Sequence, residues 1–360
     1  MTNLRRKAKT ITDPSPRLSG WIVLAMFVMI AVPAGITLHT VRIPATFQIQ
    51  SANPTPHGYT WSLLLFIVPI LVIGCWFLPL GGVKIPQSAF WRTLLILLPI
   101  GFGLDFFFAE RFLYFRNPGA TLGISAPALG KWVPIEEYIF YFTGFIAVLL
   151  IYVWLDEFWL RAYNVQDYPT EARRVDRLLK FHPTSLIVGL LLIAFAVVYK
   201  KFFSSDSGGF PGYFTFLVLT ALVPAASFFP EARRFINWRA LSLTLFMITL
   251  VSLFWEATLA VPYGWWGYQH RQMMGLSIGA WWGLPIEAVC VWVAVTYATV
   301  IVFEVVKVWH ASGKPARQAF LGVPPPSGGL AHIDSPSQSS LLRGNFRARK
   351  PSPSAVGKGE

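Results

Sequence analysis

Apolar residues in this chain gather into eight blocks of about 20 residues, near 19–38, 60–80, 88–109, 133–155, 184–203, 211–229, 239–260 and 280–303. A helix of that length crosses roughly 30 Å of hydrocarbon, so each block predicts a membrane span. The first block exceeds the apolar run of an ordinary signal peptide, roughly 7 to 15 residues, and is kept as a helix. Between 156 and 183, Arg173, Arg174, Arg177 and Lys180 stand beside Glu171 and Asp176, which predicts a short amphipathic helix on the membrane surface. From about Ser312 the chain is rich in Pro, Ser and Gly with scattered Arg, a composition that cannot build a core.

The blocks repeat. A shift of 151 residues superposes Asp105 on Glu256, Pro134-Ile135-Glu136 on Pro285-Ile286-Glu287, and Phe77-Leu78-Pro79 on Phe228-Phe229-Pro230. Four helices per copy give both copies one orientation, as in parallel transporter repeats. The expected fold is therefore an all-α integral membrane protein of about eight transmembrane helices in two parallel four-helix repeats. Its parts are a basic arm 1–18, a first repeat 19–155, a link 156–183, a second repeat 184–305 and a disordered tail 306–360.

Composition agrees with the pattern: 54% of residues are hydrophobic and only 13% charged, too few for a soluble surface. The net charge of +13 would suggest nucleic acid in a soluble protein, but here the basic residues fall between apolar blocks and in the tails. Assigned to alternating sides, the Lys and Arg residues divide 23 to 7, which places both termini in the cytoplasm. A multi-pass protein of a bacterial plasma membrane is the expectation, with the lipid bilayer as partner and no nucleic acid. Cys75 and Cys290 lie inside apolar blocks and predict neither a disulfide nor a zinc site.

The chemistry-bearing candidates are acids. Glu136, Glu137 and Glu287 open apolar runs directly after Pro-Ile, and Asp105 and Glu256 each precede a Pro-Ile-Glu triplet by the same interval. A proline and an early glutamate suit any helix N-terminus. Against that plain reading, a charged side chain deep in a membrane helix costs roughly 2.5 to 3.5 kcal/mol, and the repeat retains several on one side. Carboxyl groups clustered away from water hold their protons more tightly and become proton donors. Glu136 and Glu137 point about 100° apart on a helix, so the expected pairs run across helices, Asp105 with Glu136 and Glu256 with Glu287.

Aromatic residues crowd the same level, and Trp255, Trp282, Trp292 and Trp132 are candidates for the wall of a pocket that holds a polyene and stabilises a carbocation. For Trp265, Trp266 and Tyr268 the interfacial aromatic belt is the stronger expectation. Dinucleotide and phosphate-binding fingerprints, His/Cys metal spacing and paired Asp motifs for magnesium diphosphate are missing from the sequence, so neither metal nor cofactor is expected.

Together these residues resemble the membrane-integral lycopene cyclases, which occur as two small subunits in some bacteria and as a fused domain in archaea and fungi. Asp105, Phe115-Arg116-Asn117, Leu122-Gly123-Ile124 and Pro134-Ile135-Glu136-Glu137 match the first copy of the family pattern. Trp255-Glu256, Trp265-Trp266, Gly275-Leu276 and Leu284-Pro285-Ile286-Glu287 match the second, and the resemblance covers roughly residues 60 to 305. It implies a cofactor-free isomerase that protonates the end of a linear polyene such as lycopene and closes a ring of the beta type. Glu136, Glu137 and Glu287 would be acid and base, with Asp105 and Glu256 in support. The partners it implies are that polyene, and self-association or contact with other carotenoid enzymes. Ala288 departs from the pattern, standing where a second glutamate is allowed. The rival expectations are a proton-coupled transporter or channel, and a scaffold whose acids only cap helices.

Overall fold

The computed structural model describes residues 55–128 and 131–324, together with the single position Val28. The basic arm, all of the first predicted span except that one position, and residues from 325 onward lie outside them. The described chain is mostly helical. Among the described residues six helices are long and apolar enough to cross a membrane: α1 (Gly58–Leu80), α2 (Gln87–Phe112), α3 (Ile135–Trp159), α5 (Pro183–Phe202), α7 (Trp238–Ala260) and α8 (Glu287–Ser312). Between them lie the six-residue α4 (Tyr168–Arg173) and the shorter apolar α6 (Gly212–Phe228); α9 (Ala316–Leu321) follows α8.

Helices α3 and α8 form the centre. In their most apolar windows 67% and 61% of residues are buried, against 17% to 39% for the other four spans, so these two are the ones surrounded by protein. Helix α8 packs against α2, α3, α6 and α7, and α3 against α1 and α2. The outward faces keep large apolar residues such as Leu95, Phe107, Leu191 and Phe254 exposed, as suits a surface that meets lipid.

Three two-residue or four-residue strand pairs cover one end of the bundle. Strand β1 (Leu113–Tyr114), directly after α2, pairs antiparallel with β4 (Gly267–Tyr268), which follows α7. Strands β2 (Ser125–Ala128) and β3 (Lys131–Pro134) form a hairpin that runs into α3, and β5 (Ser277–Ile278) and β6 (Leu284–Pro285) form one that runs into α8. The two hairpins are tied down alike: Ile135 N–H donates to the Ile124 carbonyl and Ile286 N–H to the Leu276 carbonyl, each at 2.9 Å. Gly123 and Gly275 precede the two acceptors with φ of +75° and +89°, a left-handed turn that side chains with a Cβ resist.

Several boundaries differ from the sequence expectation for identifiable reasons. The last span starts at Glu287 rather than near 280, because Trp282 and Gly283 both adopt positive φ and break the apolar run into a turn. That span continues to Ser312, and α9 folds back so that Leu178 and Leu179 N–H donate to the Ala319 and Phe320 carbonyls. Helical structure thus continues past residue 306, where the tail was expected to begin, to Leu321. The 156–183 link is not one amphipathic helix: α3 runs through Trp159, and only Tyr168–Arg173 is helical beyond a single short turn at Arg161–Tyr163.

Candidate functional site

The first turns of α3 and α8 and the last turn of α7 converge beneath the strand pairs. There they line a cavity of about 60 Å³ that opens outward. Helix α3 contributes a stripe at helical spacing, Glu137, Phe140, Tyr141, Gly144 and Phe145, and α8 contributes Val291, Trp292 and Val295. Tyr59, Tyr213, Trp255, Glu256, Trp266 and Tyr268 complete most of the remaining wall.

Two acids face this space, and both are buried. Glu137 accepts a hydrogen bond from the Tyr59 hydroxyl at 2.6 Å. Glu256 accepts one from the Tyr268 hydroxyl and another, at 2.8 Å, from the indole N–H of Trp292. A π turn over Glu256–Ala260 widens the helix where Glu256 sits, a local departure that often accompanies functional positions. Tyr268 stands in the loop after α7, where burial and then the Glu256 charge push its hydroxyl well above the usual phenol range, so it stays a donor. Among the described residues none of Asp105, Glu136, Glu137, Glu256 and Glu287 makes an ion pair within 4.0 Å.

Around the acids the wall is aromatic. The ring centroid of Trp255 lies 4.6 Å from Trp266, 5.1 Å from Phe140 and 5.2 Å from Phe66. Tyr59 lies 5.0 Å from Trp266, and Phe66 stacks on Trp292 at 5.8 Å. The Trp255 indole N–H is buried without a hydrogen-bond partner among the described residues. Such a box presents π faces with little polar competition, a surface that favours cations and apolar chains alike.

The remaining candidates fall elsewhere. Glu136 is fully buried but turned to the loop: its Oε1 accepts from the Thr60 hydroxyl at 2.6 Å and from Leu122 N–H at 2.7 Å. Glu287 does the same job in the second hairpin, accepting from Met274 N–H, and its electrostatic neighbour is the buried Lys200. Both glutamates therefore clamp the loop ahead of their own helix. Asp105 is buried with neither oxygen hydrogen-bonded among the described residues, within electrostatic reach of Glu137 though not itself in the cavity wall. Glu137 and Glu256 thus share the cavity wall, Asp105 lies within electrostatic reach of Glu137, and Glu136 and Glu287 of the expected pairs lie outside that wall.

Trp255 and Trp292 line the cavity as expected. Trp282 sits on the left-handed turn, 36% exposed and outside the wall, and Trp132 belongs to β3, its side chain outside the described ones. Trp266 and Tyr268, expected in the aromatic belt, are instead buried in the wall, drawn inward by the β1–β4 pairing. Trp265 is buried too, its indole N–H donating to the Thr55 hydroxyl at 2.9 Å. Tyr59 and Tyr213 were not anticipated. Each follows a glycine at the start of its helix, Gly58-Tyr59 and Gly212-Tyr213, a recurrence that would have marked them.

A second polar cluster occupies the other end of α3 and α8. Lys307 Nζ lies 3.3 Å from Asp156 Oδ2, 3.4 Å from Glu157 Oε1 and 3.3 Å from Glu304 Oε1. The Tyr152 and Tyr168 hydroxyls donate to the two Glu304 oxygens, each at 3.1 Å. Among the described residues no group of three or more His, Cys, Asp and Glu side chains is arranged to hold a metal ion. Compared with family models, curated proteins and solved structures, the chain matches none.

Proposed function

We propose that this membrane protein is a carotenoid end-group cyclase, an isomerase that closes a ring at the end of a linear polyene such as lycopene, by proton transfer between Glu137 and Glu256. The observation that carries the reading is the cavity itself: two buried carboxyl groups, unpaired with any cation among the described residues, in one aromatic pocket. Glu137 is the acid, held by one hydroxyl and set beside Asp105. Its proton adds to the terminal double bond and leaves a tertiary cation. The neighbouring double bond attacks that cation, a carbon–carbon bond closes the six-membered ring, and the positive charge moves to the ring. Glu256, held by the Tyr268 hydroxyl and the Trp292 N–H, carries negative charge and removes a ring proton, restoring a double bond. Glu256 then gives its proton up to solvent and Glu137 takes a fresh one from solvent, so the reaction is redox-neutral and the acid is reset. Trp255 and Trp266 face the cation, each desolvated contact contributing ~2 kcal/mol.

The reading includes two parallel repeats and eight membrane crossings, with 19–38 and Gly212–Phe228 added to the six long helices. Supporting it, Phe140, Tyr141 and Gly144 of α3 correspond at the 151-residue shift to Val291, Trp292 and Val295 of α8, and all six line the cavity. The matched hairpins and glutamate clamps agree. Glu137 corresponds to Ala288, which is buried in the core, so the site would draw one acid from each copy: Glu137 from the first and Glu256 from the second. On this reading the cavity end is the outer leaflet and Lys307 the cytoplasmic end. The resemblance to the membrane-integral lycopene cyclases points the same way.

Expression in cells that accumulate lycopene is expected to yield cyclic pigment, and unchanged lycopene alongside well-inserted protein would overturn the proposal. One observation favours a proton-coupled transporter as the second reading. Thr296 and Thr299 are buried on α8 between the two polar clusters, with hydroxyls lacking partners, and would mark a crossing path. Proton flux in liposomes, abolished by Thr299→Val, is the result that reading requires.

A further inference from the structure

Among the cavity-lining positions of α3, Gly144 alone has no side chain. It is buried, yet a Cβ built on it meets nothing within 4 Å among the described residues, so the space beside it belongs to the cavity and not to a described helix. Gly101 on α2 is the contrasting case: a Cβ there would lie 2.9 Å from the Tyr141 ring, which makes Gly101 a packing glycine that lets Tyr141 take its place in the wall. Gly144 stands two helical turns beyond Glu137 on the same face, about 10 Å farther along the axis. At the 151-residue shift its counterpart is Val295, which also lines the cavity. One copy thus carries a branched side chain at this level where the other carries none, and the cavity stays open on the α3 side.

We infer that Gly144 sets the depth of the cavity, admitting the slender, ring-free end of an apolar chain past the carboxyl groups and selecting against ends too bulky to reach it. The inference rests on the proposed function for the chemical class of the occupant. A bare wall position next to aromatic rings offers no hydrogen bond, so what passes it gains only apolar contact.

The test is binding, read separately from turnover. Full-length protein in detergent is titrated with lycopene, and with a carotenoid already ringed at both ends, following quenching of tryptophan emission. Wild type is expected to bind the linear polyene at least tenfold more tightly than the ringed one. Gly144→Val, which supplies the counterpart's side chain, is expected to weaken the linear polyene at least tenfold, and Gly144→Ala by less. Because the position is open, both variants are expected to melt at or above the wild-type temperature. Wild-type affinity in folded Gly144→Val, or equal affinity of wild type for both carotenoids, overturns the inference. If Gly144→Val blocks binding but wild type forms no ring, the depth assignment stands and the cyclase reading fails. If Gly144→Val cyclises as wild type does, the converse holds.

Discussion

Helices α3 and α8 bury acids at both ends, and the two ends handle them differently. At one end Asp156, Glu157 and Glu304 surround Lys307, and two tyrosine hydroxyls complete the hydrogen bonding of Glu304. At the other, among the described residues, Glu137 and Glu256 meet only phenol and indole donors and open into a cavity. Charge matched by an adjacent ammonium is chemically quiet, because moving a proton there would break the pairing. Carboxyl groups that lack a cation can exchange a proton without that penalty. The contrast separates a cluster that holds two central helices together from one arranged to act on something else.

That contrast is sharpest in the largest predicted effect. Glu137→Gln and Glu256→Gln are each expected to lower cyclisation by about 10²- to 10⁴-fold, the usual loss of a general acid or base, while thermal melting stays near wild type. Equal activity in both variants would erase the distinction between the two ends. Lys307→Met should do the reverse. It leaves buried Asp156 and Glu304 without their cation and is expected to cost about 3 to 5 kcal/mol of stability, read by denaturation, with activity per folded molecule unchanged. Tyr59→Phe removes the sole hydrogen bond shown to Glu137 and should slow turnover by about tenfold, in keeping with about 1.5 kcal/mol for a hydrogen bond to a charged group.

The smallest effect comes from a pair that resembles neither cluster. Glu231 lies 2.7 Å from Lys180 outside the long spans. Partial burial raises its pKa, but the Lys180 hydrogen bond and the Arg234, Lys180 and Arg233 charges together outweigh burial and hold it below the ordinary value. A lowered pKa stabilises the fold above the ordinary carboxylate value and loses that stabilisation as pH falls through the lowered one. Glu231→Gln should therefore cost about 1 kcal/mol or less near neutral pH, with the difference from wild type shrinking as pH falls below the ordinary carboxylate value and vanishing below the lowered one. A difference that persisted in acid would assign the residue a packing role.

Much of the fold could be read from apolar block length, since each of the six long described helices was expected within a few residues, apart from the two ends of α8. Its start was obscured because Trp281 and Trp282 are as apolar as a helix core, and only the left-handed turn at Trp282-Gly283 shows why the helix waits for Glu287. The acids of the candidate site were legible in the sequence, but not which of them face the cavity. Pro-Ile-Glu drew attention to Glu136 and Glu287, whose side chains turn back to clamp hairpins, whereas their less conspicuous companions Glu137 and Glu256 face the cavity. Side-chain direction one residue along a helix changes by about 100°, and nothing in an apolar run reveals which direction leads to open space. Lys200 and Lys307 were counted as topology charges, yet Lys200 is fully buried and donates to the His270 carbonyl at 3.0 Å, and Lys307 sits in the acidic cluster. Long-range pairings such as β1 with β4 decided the fate of Trp266 and Tyr268, and such pairings leave no local trace in the sequence.

Ring closure by purified full-length protein in heavy water tests the central claim most directly. If the Glu137 carboxyl delivers the proton, it exchanges with solvent beforehand and each new ring gains one deuterium, seen as a mass increase in the product, while Glu137→Gln gives neither ring nor label. Cyclic product without deuterium, or labelled product from Glu137→Gln at the wild-type rate, would contradict it.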